Sequence, residues 1–186
     1  MALELNGTTG VSLVQDGVVT AADLASTLDL SGKTVTLPSG VGGKVLQVLQ
    51  ATSTARVQIS ANSYTDLNPS LAITPSSTSS KILVIASYQL SILNAGSNDA
   101  YGDVQLLRGA SSIIEYEGAI RIRAGIGASS ELRLGGQHTM VYLDSPNTTS
   151  ATTYKFQGKC QTGTRIESVG NPSSSVNVLT LMEIAG

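Results

Sequence analysis

The residue types that most often perform chemistry are scarce in this chain and far apart. The sequence has one histidine, His138, and one cysteine, Cys160, 22 positions apart. A metal ion needs several clustered ligands, and a serine nucleophile needs a histidine beside it, often after a G-x-S-x-G turn that this sequence lacks. We therefore interpret His138 as an ordinary strand residue and Cys160, which alternates with Phe156, as a core residue. The expectation is no catalytic residue, no cofactor and no metal.

Paired carboxylates are the remaining catalytic candidates, because two acidic side chains can hydrolyse a glycosidic bond. Glu115, Glu117 and Glu131 qualify by residue type. On a strand, Glu115 and Glu117 would share one face with their Cα atoms about 7 Å apart. Carboxylates on a strand surface are more often simply solvated, and we prefer that interpretation of all three.

Three arginines could form a small cationic stripe: Arg121, Arg123 and Arg133. Such a stripe could pair with the three glutamates across strands or across subunits. It could also contact an anionic glycan. Against a sugar site built on aromatic rings, the chain has no tryptophan and only 4% aromatic residues.

Composition excludes several classes of protein. Only 13% of the 186 residues are charged and the formal net charge is -2, so the basic balance needed for nucleic acid is missing. The chain has 25 Ser, 19 Thr and 19 Gly but is 41% hydrophobic, which favours strands and turns over disorder. A single cysteine cannot form an internal disulfide. Residues 1–4 lack a signal-peptide pattern, and apolar runs of about five residues are far shorter than the roughly 20 that span a bilayer.

The stretch 80–93 predicts the central strand of the fold. Apolar residues fall on every second position from Ile82 to Ile92, and successive strand side chains point to opposite faces. The other face is apolar at Leu83 and Ile85 and polar at Ser87, Gln89 and Ser91. This pattern indicates a strand that is buried on both faces at its start and on one face at its end.

Shorter strand signals fill the rest of residues 44–186 and predict an all-β, antiparallel β-sandwich of jelly-roll type. We expect residues 45–49 to pair with 55–60, and a hairpin about Gly109. Leu132 and Leu134 should point inward, with a bulge or bend at Gly135-Gly136. The predicted strands are 45–49, 55–60, 71–74, 80–93, 103–108, 112–117, 119–126, 131–134, 139–143, 152–160, 165–169 and 176–185.

Residues 1–43 differ from the rest and predict an extended N-terminal attachment arm. Short apolar pairs alternate with turn dipeptides, and one short helix is expected from a cap at Thr20 to about Leu28. The Gly-rich stretch 39–43 is the predicted linker to the sandwich domain, 44–186. Its glycine spacing, and Val45 after Lys44, do not fit a phosphate-binding loop. The residues expected to contact the partner surface are Leu3, Leu5, Val11, Leu13 and Leu24.

Several segments resemble tailed-phage fibre and virion-surface proteins, often of marine and cyanobacterial phages. The segments are Ile-Thr-Pro-Ser-Ser-Thr-Ser-Ser-Lys-Ile-Leu-Val at 73–84, Leu-Asp-Ser-Pro at 143–146 with 148–154, and Leu-Thr-Leu-Met-Glu-Ile at 179–184. The opening, Asn-Gly-Thr-Thr-Gly at 6–10 and Leu-Ser-Gly-Lys-Thr-Val-Thr-Leu-Pro at 30–38, resembles the attachment region of these proteins.

The resemblance implies a homotrimeric β-structured protein on a phage particle, made in the host cytoplasm without a signal peptide. Phage tail fibres are usually longer, with repeated shaft segments, and this favours a capsid decoration (cement) protein or short head fibre. Its partners would be itself and the major capsid protein or another virion protein, with no nucleic acid and no membrane. The alternatives are the tip of a tail fibre that recognises a host surface glycan, and a polysaccharide depolymerase.

Overall fold

A computed structural model of the chain describes residues 44–95, 99–123, 131–168 and 175–186. These residues form strands and turns, with no helix among them. The predicted arm, its helix and its five attachment residues lie outside the described residues. The strands are β1 (Val45–Ser53), β2 (Val57–Ile59), β3 (Thr65–Ile73), β4 (Lys81–Ala95), β5 (Asp99–Arg108), β6 (Ser111–Arg123), β7 (Glu131–Asp144), β8 (Thr152–Thr162), β9 (Arg165–Ser168) and β10 (Asn177–Ile184).

The strand β4 is central to the fold, as its sequence pattern predicts, but the predicted order of burial along it is wrong. Its second face is partly exposed at Leu83 and Ile85 near the start and buried at Ser91 and Leu93 near the end. Its 15 residues pair with β7 along one edge and with β10 and then β9 along the other. Side chains from Ile82 to Ile92 at every second position are at most 1% exposed, because they face the second sheet. All pairings in the described part of the chain are antiparallel.

The strands form two sheets. The six-stranded sheet has the order β1-β10-β4-β9-β2, with β7 on the free side of β4, and the four-stranded sheet has the order β3-β8-β5-β6. Four pairings are nested along the chain: β1 with β10, β3 with β8, β4 with β7, and β5 with β6. The hairpin of β5 and β6 about Gly109 is confirmed, with that glycine at a positive φ of 60°.

The predicted pairing of the first two strands is wrong. β1 pairs with the last strand, β10, and β2 pairs with β9. Because β10 and β9 follow one another along the same edge of β4, β1 and β2 are successive parts of one edge of the sheet. Residues 54–56 therefore interrupt an edge and do not form a hairpin turn.

The prediction of a bulge at Gly135-Gly136 is also wrong. The pairing of β7 with β4 runs without a register shift from Glu131 to Asp144. A Cβ atom on Gly135 would lie 3.0 Å from the Cβ of Ser91, so the missing side chain allows the two strands to approach closely. Leu132 and Leu134 are 38% and 49% exposed rather than buried, because β7 is an edge strand bordered only by β4 among the described residues.

The core lies between the two sheets. The predicted buried face of β8 is confirmed: Tyr154, Phe156 and Cys160 are all at most 3% exposed. The rings of Tyr88 and Phe156 meet with their centroids 5.5 Å apart, which joins the central strands of both sheets. The two sheets thus bury one face each and leave one face each directed outward.

Candidate interaction surface

The outward face of the four-stranded sheet is polar, and most of its charged groups are paired. Lys159 Nζ on β8 lies 3.1 Å from Glu115 Oε1 on β6 and 3.3 Å from Asp103 Oδ2 on β5. The hydroxyl of Tyr64 donates to Glu115, and the Lys159 ammonium lies 4.5 Å from the centroid of the Tyr64 ring. The hydrogen bonds from Tyr64 and Lys159 lower the pKa of Glu115. Glu115 is therefore a paired anion, not a free acid or base.

The same face continues as a network toward β3. Asp66 accepts hydrogen bonds from Lys155 Nζ at 2.8 Å and from Gln157 Nε2 at 2.6 Å. Gln157 in turn accepts one from Gln105 at 2.8 Å. Because its charges are paired and its amides are hydrogen-bonded across three strands, this face is compatible with water. Its burial in an interface is not favoured.

The outward face of the six-stranded sheet differs, since one end of it is apolar. The strand registers place Val48, Met182, Leu83 and Leu143 side by side across β1, β10, β4 and β7. Val48 and Leu143 are more than half exposed, at 54% and 52%. Four adjacent strands thus contribute one continuous apolar row to the surface.

The next row along the sheet is also uncharged. It contains Gln50, Thr180, Ile85 and Val141, and Val141 is 56% exposed. With the exposed Val45 and Leu46 at the same end, the apolar surface is on the order of 500 Å², within the range of patches that are often functional. We define the apolar patch as Val48, Leu83, Ile85, Val141, Leu143 and Met182.

Two buried carboxylates anchor the edges of this sheet, and sequence reasoning gave no role to either. Glu183 on β10 is fully buried and accepts hydrogen bonds from the Ser76 amide at 2.7 Å, the Ser76 hydroxyl at 2.6 Å and Gln47 Nε2 at 2.6 Å. Burial raises the pKa of Glu183, but these hydrogen bonds outweigh it and lower the pKa to about 2. The carboxylate fastens the turn before β4 to β10 and β1.

The second carboxylate joins the two sheets. Asp144 at the end of β7 accepts hydrogen bonds from Tyr154 on β8 at 2.6 Å and from Arg108 Nη1 on β5 at 2.9 and 3.0 Å. Both Asp144 and Tyr154 belong to the second resembling segment. In the sequence these two residues are only an Asp and a Tyr ten positions apart, and that spacing does not predict a contact between them.

The three arginines of the predicted stripe do not lie on one sheet. Arg121 and Arg123 are on β6 of the four-stranded sheet, and Arg133 is on β7 of the six-stranded sheet. Arg121 pairs with Asp99 and stacks 5.0 Å from the centroid of the Tyr101 ring. Arg133 Nη2 lies 3.0 Å from Glu167 Oε2. The partners are thus Asp99 and Glu167 rather than Glu115, Glu117 or Glu131.

The lone histidine and cysteine occupy ordinary positions. His138 on β7 is partly buried and lines a cleft of about 340 Å³ with Tyr116 and Met140, and burial lowers the pKa of its imidazole. Cys160 is 3% exposed, and burial raises the pKa of its thiol. Among the described residues, no group of three or more His, Cys, Asp or Glu side chains is placed to hold a metal ion.

No protein-family model matches this chain, and no curated protein matches it. Among solved structures, the VP2 subviral particle of infectious bursal disease virus is similar at a TM-score of 0.38 and 12% identity over 88% of this chain and 41% of that one. The viral particle of the same virus gives a TM-score of 0.35 and 11% identity over 89% and 41% of the two chains. This chain spans less than half the length of those proteins, and a likeness at these TM-scores does not carry a shared function.

Within the described ranges, no helix is long and apolar enough to cross a membrane. The surface features that stand out are the apolar patch on one outward face and the paired charges on the other.

Proposed function

We propose that the chain is a structural protein of a virus particle, a homotrimeric capsid decoration (cement) protein or short head fibre of a tailed phage. The observation that carries this proposal is the difference between the outward faces. On one face most charged groups form ion pairs and suit water, and the other face has an uncharged apolar patch that suits a protein partner. The resembling segments supply the class of particle. The proposal assigns the chain no catalytic role and no cofactor.

We further infer that the sandwich is a jelly roll. That fold is a long antiparallel hairpin wrapped into two sheets, so its first strand pairs with its last and each inner pair nests within the outer one. The nested pairings β1–β10, β3–β8, β4–β7 and β5–β6 follow this order, and β2 with β9 adds a short extra pair. Jelly rolls occur in viral capsid and lectin domains, so the fold by itself selects neither role.

We infer that the apolar patch is buried between copies of the chain in the trimer. Three copies around a three-fold axis can each bury the same patch against the other two. Together with Val45 and Leu46, its area of about 500 Å² is of the order of the 800 Å² that each partner buries in a stable interface, with polar residues such as Gln50 and Thr180 left for the rim.

Light scattering tests this interface with two leucines on opposite faces of one strand. We expect about three times 19.1 kDa for the unaltered protein, and monomers for Leu143→Glu. Leu134→Glu is the matched control, since Leu134 is also on β7 and similarly exposed, at 49% against 52%, but lies outside the patch. Equal masses for the two variants, or a stable monomer of the unaltered chain at micromolar concentration, would remove the basis for the trimer.

Attachment to the particle is assigned to residues 1–43, with Leu3, Leu5, Val11, Leu13 and Leu24 as the contacting side chains. A shortened chain starting at Lys44 should fold but fail to bind particles that lack the protein. A fusion of residues 1–43 to an unrelated trimer should bind them. If the shortened chain decorates particles as well as the full chain does, attachment lies in the sandwich and this assignment is wrong.

The second candidate function is the tip of a tail fibre that recognises a host surface glycan. The observation that favours it is a group of three arginines on the outward face of the six-stranded sheet, described below. Locating the protein in a reconstruction of the particle separates the two: density on the capsid supports decoration, and density at the end of the tail supports receptor binding.

A further inference from the structure

Glu167 on β9 is the centre of an unusual charge cluster. Its side chain is 1% exposed, and its Oε1 atom accepts hydrogen bonds from Arg56 at 2.7 Å, Arg165 at 2.6 Å and Gln58 at 2.7 Å. The other oxygen, Oε2, lies 3.0 Å from Arg133 Nη2. Three guanidinium groups from β7, β9 and the residue before β2 therefore converge on a single carboxylate.

The cluster has more positive charge than Glu167 can neutralise and more hydrogen-bond donors than its two oxygens can accept. Three arginines against one glutamate leave a surplus of two positive charges, in a chain whose formal net charge is -2. Glu131, exposed on the same face two residues before Arg133, reduces the surplus to one when it is counted. A guanidinium has five N–H donors in a rigid fork, and each of these side chains is about one third exposed, at 36%, 39% and 32%. Donors beyond those held by Glu167 thus face solvent.

The surface beside the arginines is rich in neutral polar groups. Gly135 packs closely against Ser91, which is 4% exposed and whose buried hydroxyl has no hydrogen-bond partner among the described residues. Ser91 and Glu167 are paired positions on β4 and β9. Gln137 and Ser87 lie further along the same face and bond to one another at 2.7 Å. Amides and hydroxyls of this kind suit a ligand that has hydroxyl groups.

We propose that Arg56, Arg133 and Arg165 form a binding site for a carboxylate or sulfate group of an acidic polysaccharide. Guanidinium forks bind such oxyanions through paired, charge-assisted hydrogen bonds, and the neighbouring amides would accept and donate to sugar hydroxyls. Glu167 positions the three arginines and limits their repulsion. The site does not depend on the position of the protein on a virion, so it can be tested on the purified full chain.

Titration calorimetry with defined probes tests the site. The probes are oligogalacturonate for carboxylate, dextran sulfate for sulfate, neutral dextran of matched length, inorganic sulfate and poly-glutamate. We expect both acidic polysaccharides to bind, with affinity falling as salt rises, and neutral dextran not to bind. Arg133→Gln should weaken binding about tenfold or more, Arg133→Lys less, and Glu131→Gln should tighten it.

Arg121→Gln is the matched control, because Arg121 is similarly exposed, at 40%, but pairs with Asp99 on the other sheet. Its affinity should equal that of the unaltered chain. Circular dichroism establishes that each variant is folded. If Arg133→Gln does not fold, the binding test is repeated with Arg56→Gln. Equal polysaccharide binding by the arginine variants and the unaltered chain overturns the site. Binding of inorganic sulfate alone, or of poly-glutamate without polysaccharide, also overturns it, in favour of a small-anion site or an acidic protein partner.

Discussion

Replacing Glu183 tests whether the buried carboxylate holds the edge of the six-stranded sheet. Its two oxygens accept three hydrogen bonds, from the amide and hydroxyl of Ser76 and from Gln47. The carboxylate is fully buried, whereas Ser76 is exposed, and loss of the carboxylate removes all three bonds at once. Glu183→Ala should therefore destabilise the protein more than removal of an exposed glutamate does.

The expected cost follows from the bonds that are lost. A hydrogen bond to a charged group contributes about 1.5–3 kcal/mol. The three bonds share one carboxylate and are not additive, so we expect a loss of about 3 kcal/mol for Glu183→Ala. Glu183→Gln keeps one acceptor oxygen and should cost roughly half as much.

Urea unfolding at one fixed protein concentration measures these costs. A loss of about 3 kcal/mol should lower the midpoint by roughly 1–3 M urea at an unchanged slope. Glu117→Ala, on an exposed position of β6, is the control and should change stability by less than about 0.5 kcal/mol. If Glu183→Ala costs no more than this control, the carboxylate is not an anchor and the reasoning is refuted.

The same carboxylate predicts how stability depends on pH. Its pKa is lowered from 4.5 to about 2 in the folded protein, so the ionised form stabilises the fold. That contribution is complete above about pH 4.5 and is lost as the pH falls toward 2. Its upper limit is about 3 kcal/mol, at about 1.4 kcal/mol for each tenfold change in proton affinity. The stability difference between the unaltered chain and Glu183→Gln should shrink across this interval, and a constant difference would contradict the assignment.

Three further substitutions have defined outcomes by urea unfolding. Gly102→Ala places a Cβ atom 2.5 Å from the Ile166 side chain and should cost about 1–3 kcal/mol through overpacking. Gly136→Ala, with nothing within 4 Å of the new atom, should be neutral or stabilise by up to about 1 kcal/mol; equal effects of the two would refute the packing argument. Tyr154→Phe removes the hydroxyl that donates to Asp144 at 2.6 Å and should cost about 1–3 kcal/mol, whereas no loss would mean that the contact between the sheets is not stabilising.

Alternation of apolar residues located most strands, because one face of each strand must be buried. It identified β4, the hairpin of β5 and β6, and the buried face of β8. It did not give the partners of β1, because pairing with β10 depends on residues more than 120 positions away. It assigned Leu132 and Leu134 to the core because periodicity reports which face a residue shares, not whether another sheet covers that face.

The charge clusters were harder to predict for the same reason. Glu167 is surrounded by arginines from three places in the sequence, and of these only Arg133 was a candidate. Arg56 and Arg165 had no distinguishing neighbours in sequence. The apolar patch was partly visible, since Leu83 and Ile85 were noted as apolar on the second face of β4. Its extension to Val48 and Leu143 required the registers of four strands.

The segments that resemble phage proteins take on a specific physical meaning in this fold. Ser76 in the first segment binds Glu183 in the last, and Asp144 and Tyr154 in the middle segment bind one another. These contacts are internal, and they fix a turn to a sheet and one sheet to the other. Apart from Leu83, Leu143 and Met182, the residues of the proposed partner surfaces lie outside the segments, and all three arginines of the oxyanion site do. The segments therefore contribute mainly to the internal frame of the sandwich.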